Sequence, residues 1–317
     1  MERSKVFLIL IIVGLGILTG LILTDGNKTS VDYDPTMFRL EQPELSDQIV
    51  MTQSDREVVL DHQGEWRVDD KFVLDKSLQQ VLFSMMQQWQ IKRPVAKASN
   101  QAVIEDLTSN GTKVTVITNG QTELEFYAGG IASQKISYFY RPGDKRAYII
   151  EIPGYTNYIT AILNLTDLQW KDRKLFSSPW QSIQRLEINY DVANKENLSF
   201  SGDNSFPSIE EMDMSAIDTA RMMNYLQQYA YFETNEHVDI TRFDQFDSLS
   251  RTIPIGKITL SDLDASMSNS LTIWPRLPQD RVHLTVDNNG NWSVIEQRRV
   301  QALLPSKKDF LKVEKPF

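Results

Sequence analysis

The chain contains no cysteine, so it has no disulfide framework, no thiol nucleophile and no Cys-ligated metal. It also has no lipoprotein cysteine through which an N-terminal lipid could be attached. Histidine is almost as scarce. His62, His237 and His283 lie far apart, and none has a second histidine within four positions, so the spacing of a helical or hairpin zinc site is missing. Basic residues are outnumbered, 33 Lys and Arg against 42 Asp and Glu, for a net charge of −9. A body of this sign is not drawn to nucleic acid or to an anionic membrane surface by its overall charge. The G-x-S-x-G elbow, the Ser-x-x-Lys pair and the phosphate-loop lysine are absent too. From these absences the chain reads as a non-enzyme with no cofactor and no metal.

Long apolar runs are lacking everywhere but at one place. Val6 to Leu23 reads VFLILIIVGLGILTGLIL without a charge. At about 1.5 Å per residue such a run comes close to the roughly 30 Å of a bilayer core. It is longer than the apolar core of a signal peptide and ends without a small-x-small cleavage site, which favours a retained transmembrane helix. Arg3 and Lys5 precede it, while Asp25, Lys28 and Asp32 follow. Positive charge stays on the cytoplasmic side, so the body is expected in the periplasm or outside the cell, on the inner membrane. Gly16 and Gly20, four apart, give the segment a small-residue face suited to helix packing.

The remainder reads as α+β: residues 1–24 a cytoplasmic tip and anchor, 25–36 a tether, 37–168 and 182–317 two tandem units with mainly antiparallel sheets, and 169–181 a linker. In the first unit Ile49–Met51, Glu57–Leu60 and Trp66–Val68 alternate as strands. Asp75 caps a helix whose stripe is Leu78, Val81, Leu82, Met85 and Trp89. Lys113–Ile117 and Thr122–Tyr127 form a hairpin through Asn119-Gly120, and Ile136–Tyr140 and Arg146–Ile150 another through Pro142-Gly143. A closing helix is expected over Tyr155–Leu163. In the second unit Leu186–Tyr190 and Leu198–Phe200 pair, and a helix is expected from Asp213 or Ser215 to Phe232. Strands follow at Lys257–Leu260, Leu271–Trp274, Arg281–Val286 and Trp292–Ile295, then a short helix at Val300–Leu304.

Letters recur as well as types. Gln87-Gln88-Trp89 matches Gln227-Gln228-Tyr229, Lys113-Val-Thr-Val matches Lys257-Ile-Thr-Leu, and Asp144–Tyr148 matches Gln279–His283. Their common order predicts an internal duplication of about 140 residues. The linker, LQWKDRKLFSSPW from Leu168 to Trp180, is charged in the middle and aromatic at both ends.

The strand–turn–strand of Ile49–Val68 with Gly64-Glu65-Trp66-Arg67-Val68, the Val81–Trp89 helix, the Tyr138–Tyr148 hairpin and the passage from Trp170-Lys171-Asp172-Arg173 to Ile183 together resemble a bacterial family of membrane-anchored proteins, the domain of unknown function 4340. The resemblance covers about Met37 to Leu311. Glu105–Thr112, EDLTSNGT, departs from the Gly-Leu-x-x-Pro stretch frequent in that family. The resemblance implies an accessory or scaffold subunit beside the permease components of an ABC-type transporter or a gliding-type machinery, and it implies no active site. Two alternatives stand beside it. One is a membrane-tethered regulator of a sensor kinase, similar to the YycH and YycI proteins. The other is an envelope glycan-binding protein.

Other clusters read as structure. Glu210-Glu211-Met212-Asp213 suits a helix N-terminus, Gly129-Gly130 a turn, and Asp287–Asn291 a hairpin turn through Asn289-Gly290. Among the aromatics, Tyr138, Tyr140, Tyr229 and Tyr231 are candidates for partner docking.

Overall fold

The structure is a computed structural model that describes residues 33–192, 195–202, 207–277 and 279–312. Contacts divide it into two units: the described residues up to Glu57 with Val81–Asn164, and Val58–Gln80 with the described residues from Leu165 onward.

The first unit is built on β1 (Gln48–Thr52); β2 (Glu57–His62), β3 (Trp66–Val68) and β4 (Phe72–Val73), which follow in the chain, belong to the second unit from Val58 onward. After α1 (Lys76–Gln88) come β5 (Gln90–Pro94), α2 (Lys97–Asn110), β6 (Thr112–Thr118), β7 (Gln121–Ile131), β8 (Ile136–Tyr140) and β9 (Tyr148–Glu151). The strands run in the order β1-β6-β7-β8-β9-β5. Every pairing is antiparallel. The β6–β7 hairpin turns on Asn119 (φ 52°) and Gly120 (φ 71°), the two left-handed residues that a tight hairpin requires. Alternating residues of β1 and β6 (Ile49 and Met51, Val114 and Val116) face the core, where Phe38, Trp89, Phe126 and Phe139 meet edge to face or tilted. The indole Nε1–H of Trp89 donates to the carbonyl of Phe38 and so enters the core with its polar atom satisfied.

The second unit holds α3 (Asp167–Trp170), β10 (Lys174–Phe176), β11 (Ile183–Tyr190), β12 (Leu198–Ser201), β13 (Ser208–Ile209), α4 (Thr219–Gln227), β14 (Phe232–Glu233), β15 (Glu236–His237), α5 (Asp244–Ser250), β16 (Gly256–Asp262), β17 (Asn269–Arg276), β18 (Val282–Asp287), β19 (Trp292–Glu296) and α6 (Gln297–Leu303). Its main sheet runs β13-β12-β11-β16-β17-β18-β19-β15, again antiparallel throughout. The core beneath it gathers Phe176, Phe200, Tyr225, Tyr229 and Phe310.

The run β11-β16-β17-β18-β19-β15 has the same order as β1-β6-β7-β8-β9-β5. Trp89 and Tyr229, each just past its helix, are both fully buried, and Lys113 and Lys257 are the second residues of β6 and β16. The third sequence match is corrected. Asp144–Tyr148 lead into β9, whereas Gln279–His283 lead into β18, which by order corresponds to β8. Both are charged turns before a strand, and turns of one composition occur at more than one strand entry.

The expected fold class is also corrected. The described residues are mostly antiparallel sheet with few helices, not α+β, and only α1 (13 residues) and α2 (14 residues) among them exceed ten. Among the described residues no helix is long and apolar enough to cross a membrane. The run Val6–Leu23, with Gly16 and Gly20, lies outside them. Two local effects explain lost helix. Asp213 caps a single 3-10 turn and Asp218 caps α4, so the long helix expected from residue 213 is split at the extended Ile217. Tyr155–Leu163 gives only a 3-10 turn at Ile159–Asn164. Conversely α2 and α5 were not expected. In α2 only Leu107 is buried, so it lacks the apolar stripe by which sequence reveals a helix.

Gly129-Gly130 is not a turn. It lies within β7 opposite Tyr138 and Ser137, and the reversal comes at Ala132–Gln134. Within 169–181 lie the end of α3 and the whole of β10, and Leu175 and Phe176 join the core.

Candidate functional site

The segment Phe72–Asp75 is laced to the chain around Lys171. The N–H of Asp172 donates to the carbonyl of Val73 (2.8 Å), the N–H of Asp75 donates to that of Trp170 (2.9 Å), and Leu74 bridges Lys171. Thr166 and Gln169 close a capping box on α3, whose last residue, Trp170, is fully buried. Together these fix the backbone of Lys171 and leave its side chain 8% exposed. Its Nζ sits 4.3 Å from the centroid of the Phe72 ring.

This ammonium faces a cleft of about 400 Å³. One wall is Lys71–Val73 with Lys171, Asp172 and Lys174. Another is the Ser266–Asn269 stretch entering β17, and a third is the β18–β19 turn, Asp287–Asn291. The Asp287 carboxylate accepts from the N–H of Asn289 (2.9 Å), the N–H of Asn291 (2.8 Å) and Asn291 Nδ2 (2.7 Å), so it is committed to its own turn. Lys174 lies 3.8 Å from Asp172. His237, at the floor, donates from Nε2 to the carbonyl of Asp172 (2.9 Å).

Burial pulls the Lys171 ammonium down to about 8, while the charges of Asp287 and Asp167 act against that fall. Burial likewise lowers His237; the Asp172 carbonyl opposes the shift and Lys171 adds to it. At neutral pH the cleft therefore holds a neutral imidazole beside an ammonium on which Asp287 and Asp167 act only at a distance, none of the described carboxylates pairing with it directly. A second, smaller cleft shares His237 and is lined by Leu78, Gln169 and Arg173. There the Arg173 guanidinium is paired at 3.1 Å with the buried carboxylate of Asp75, which also caps α1 through the N–H groups of Ser77 and Leu78.

The chain matches the family model described as domain of unknown function DUF4340 over residues 66–245, more than half its length. The chain belongs to the DUF4340 family. No curated protein matches it, and no solved structure does. The family match spans less than the expected 37–311. It takes in Lys171 and His237 and stops before the Asp287 turn.

The tyrosines named from sequence are divided between the units, Tyr138 and Tyr140 in the first and Tyr229 and Tyr231 in the second. Tyr138 and Tyr140 stand on β8, half-buried against Val95, Leu107 and Ala147. Tyr229 is corrected as a docking residue. It is fully buried, its hydroxyl 2.8 Å from that of Tyr225. Tyr231, two residues on, is 64% exposed, and its hydroxyl donates to Glu233. His62 stacks on Trp66, and His283 bonds through Nδ1 to the carbonyl of Trp274 at 2.8 Å. Among the described residues no three acidic or histidine side chains are grouped to hold a metal ion. Sequence reasoning missed Lys171 as a site residue. Nothing in the sequence marks a lysine followed by Asp and Arg as buried, because the residues that bury it come from four distant stretches.

Proposed function

We propose that this chain is a non-enzymatic envelope protein attached to the inner membrane, an accessory or scaffold subunit of an ABC-type transporter or gliding-type machinery. The carrying observation is the charge-free run Val6–Leu23, with Arg3 and Lys5 before it, in front of a body of the DUF4340 family. In this reading the run holds the chain in the bilayer, with the N-terminal tip in the cytoplasm and the body on the far side. Permease components are the partners. Exposed apolar side chains on the second unit support a role in protein contact: Tyr231, Ile253 (75% exposed) and Leu263 (61% exposed).

Crosslinking in intact cells, followed by purification of the full chain, tests this. Transporter subunits are expected among the recovered proteins, and Tyr231→Asp is expected to weaken their recovery. Recovery of none, together with an unchanged phenotype when transporter genes are deleted, overturns the proposal. A body accessible to protease only from the cytoplasmic side overturns the orientation.

A further inference from the structure

Lys171 is the one Lys or Arg among the described residues that is buried. Its ammonium makes no hydrogen bond or ion pair to a protein acceptor among those residues; its neighbour is the Phe72 ring. A buried charge in that state is costly unless something completes its coordination. The carboxylate whose charge acts most on it, Asp287, accepts three hydrogen bonds from the β18–β19 turn and does not pair with it. The cleft also offers unspent donors. The Ser268 hydroxyl accepts from the N–H of Asp262 and keeps its own proton free, and Lys71 stands at the rim. The volume, about 400 Å³, suits a small molecule and not a peptide or a polymer chain.

We propose that this cleft is a binding site for a small anionic ligand, one that presents a carboxylate or phosphate group to the Lys171 ammonium. The oxyanion supplies the direct contact that Asp287 and Asp167, acting only at a distance, do not, with Ser268 and Lys71 placed to share its remaining oxygens. The depressed Lys171 ammonium agrees with a cation short of a partner. The site goes beyond the accessory role and stands or falls separately from it: a chain that recruits no transporter still has the cleft.

The test is competitive labelling of the full chain, purified in detergent, with a substoichiometric amine-acylating reagent at pH 8. Modification of Lys171 is read by mass spectrometry against Lys92, which is paired with Glu151 in the first unit. Inorganic phosphate and D-glucuronate are the probes, each against sodium chloride of equal ionic strength. The expected result is a saturable fall in Lys171 labelling, about tenfold when the probe stands at about ten times its dissociation constant. Lys92 stays unchanged. Phosphate protecting alone assigns a phosphate ligand, and glucuronate alone a carboxylate one. In parallel, the protecting probe raises the thermal midpoint of the wild type but not that of Lys171→Met. No protection by either probe, protection equalled by chloride, or an undiminished thermal shift in Lys171→Met overturns the proposal.

Discussion

Each unit contains a cleft of about 400 Å³, and the two treat their cations in opposite ways. In the first, Arg141 donates from Nη2 to the carbonyl of Met37 (2.8 Å) and lies over the Phe38 ring, in a cleft that also presents Glu123 and Glu125. In the second, Lys171 has a ring beside it and, among the described residues, no acceptor. The same six-strand order therefore carries one cleft whose cation serves the fold and one whose cation is left over. The shared strand order fixes the sheet; the turns and inserted segments decide what a cleft can bind.

The largest expected effect breaks the correspondence of the two cores. Trp89→Ala removes a fully buried indole and should cost about 3–5 kcal/mol, read as a shifted urea midpoint. Tyr229→Phe at the matching place loses only a hydroxyl pair and should cost about 1 kcal/mol. A loss in Trp89→Ala no larger than that in Tyr229→Phe would show that Trp89 is not the packed centre of its core.

A feature without counterpart in the second repeat comes next. Gly130 has φ 142°, and a Cβ there would lie 2.1 Å from the carbonyl oxygen of Ile136. Gly130→Ala should cost about 1–3 kcal/mol and loosen amide exchange protection along β7 and β8. Unchanged protection would remove the strain argument.

The two cations should respond with opposite sign. Arg141→Met leaves a carbonyl without its donor and should destabilise by about 1–2 kcal/mol. Lys171→Met replaces a buried ammonium that has no direct partner among the described residues with an apolar chain and should stabilise by about 1 kcal/mol at pH 7. The sign follows from linkage. The folded value of Lys171 lies near 8 and the unfolded near 10.5, so the unfolded chain binds the extra proton between them. Wild-type stability should therefore rise with pH across that window, and the rise should vanish in Lys171→Met. Denaturant midpoints from pH 7 to 10 measure both.

The smallest effect separates the units by pH. All three histidines belong to the second unit. Burial holds His237 and His283 below the ordinary 6.5. The unfolded chain takes up protons first, so their contribution is complete above about 6.5 and is lost as pH falls below it. Amide exchange between pH 7 and 5.5 should show β15 and β18 losing protection before β1 and β6. A His237→Gln, His283→Gln variant should abolish that difference.

Much of the fold was legible because its signals are local. The Asn119-Gly120 and Asn289-Gly290 turns, the alternation of β1, β6 and β16, and the Asp75 cap each follow from a few adjacent residues. Where signals compete, reading failed. Asp213 and Asp218 are both capping residues, and only the packed structure shows that the helix begins at the second. Gly129-Gly130 resembles a turn until β8 is laid against it. The site was hardly legible at all. Tyr229 and Tyr231 are near neighbours of one type, yet one is sealed in the core and the other stands in solvent.

By itself the sequence determined that this chain has no thiol chemistry, that it carries one long apolar run ahead of an acidic body, and that the body repeats its strands. These depend on composition and on interactions within a few residues. Only the tertiary structure decided that Val58–Gln80 joins the second unit, that the third apparent match falls one strand out of step, and that Lys171 is a buried cation without an acceptor among the described residues. The reason is distance along the chain. The walls around Lys171 come from residues near 72, 172, 268 and 288, and no local pattern records which stretches will enclose a single ammonium.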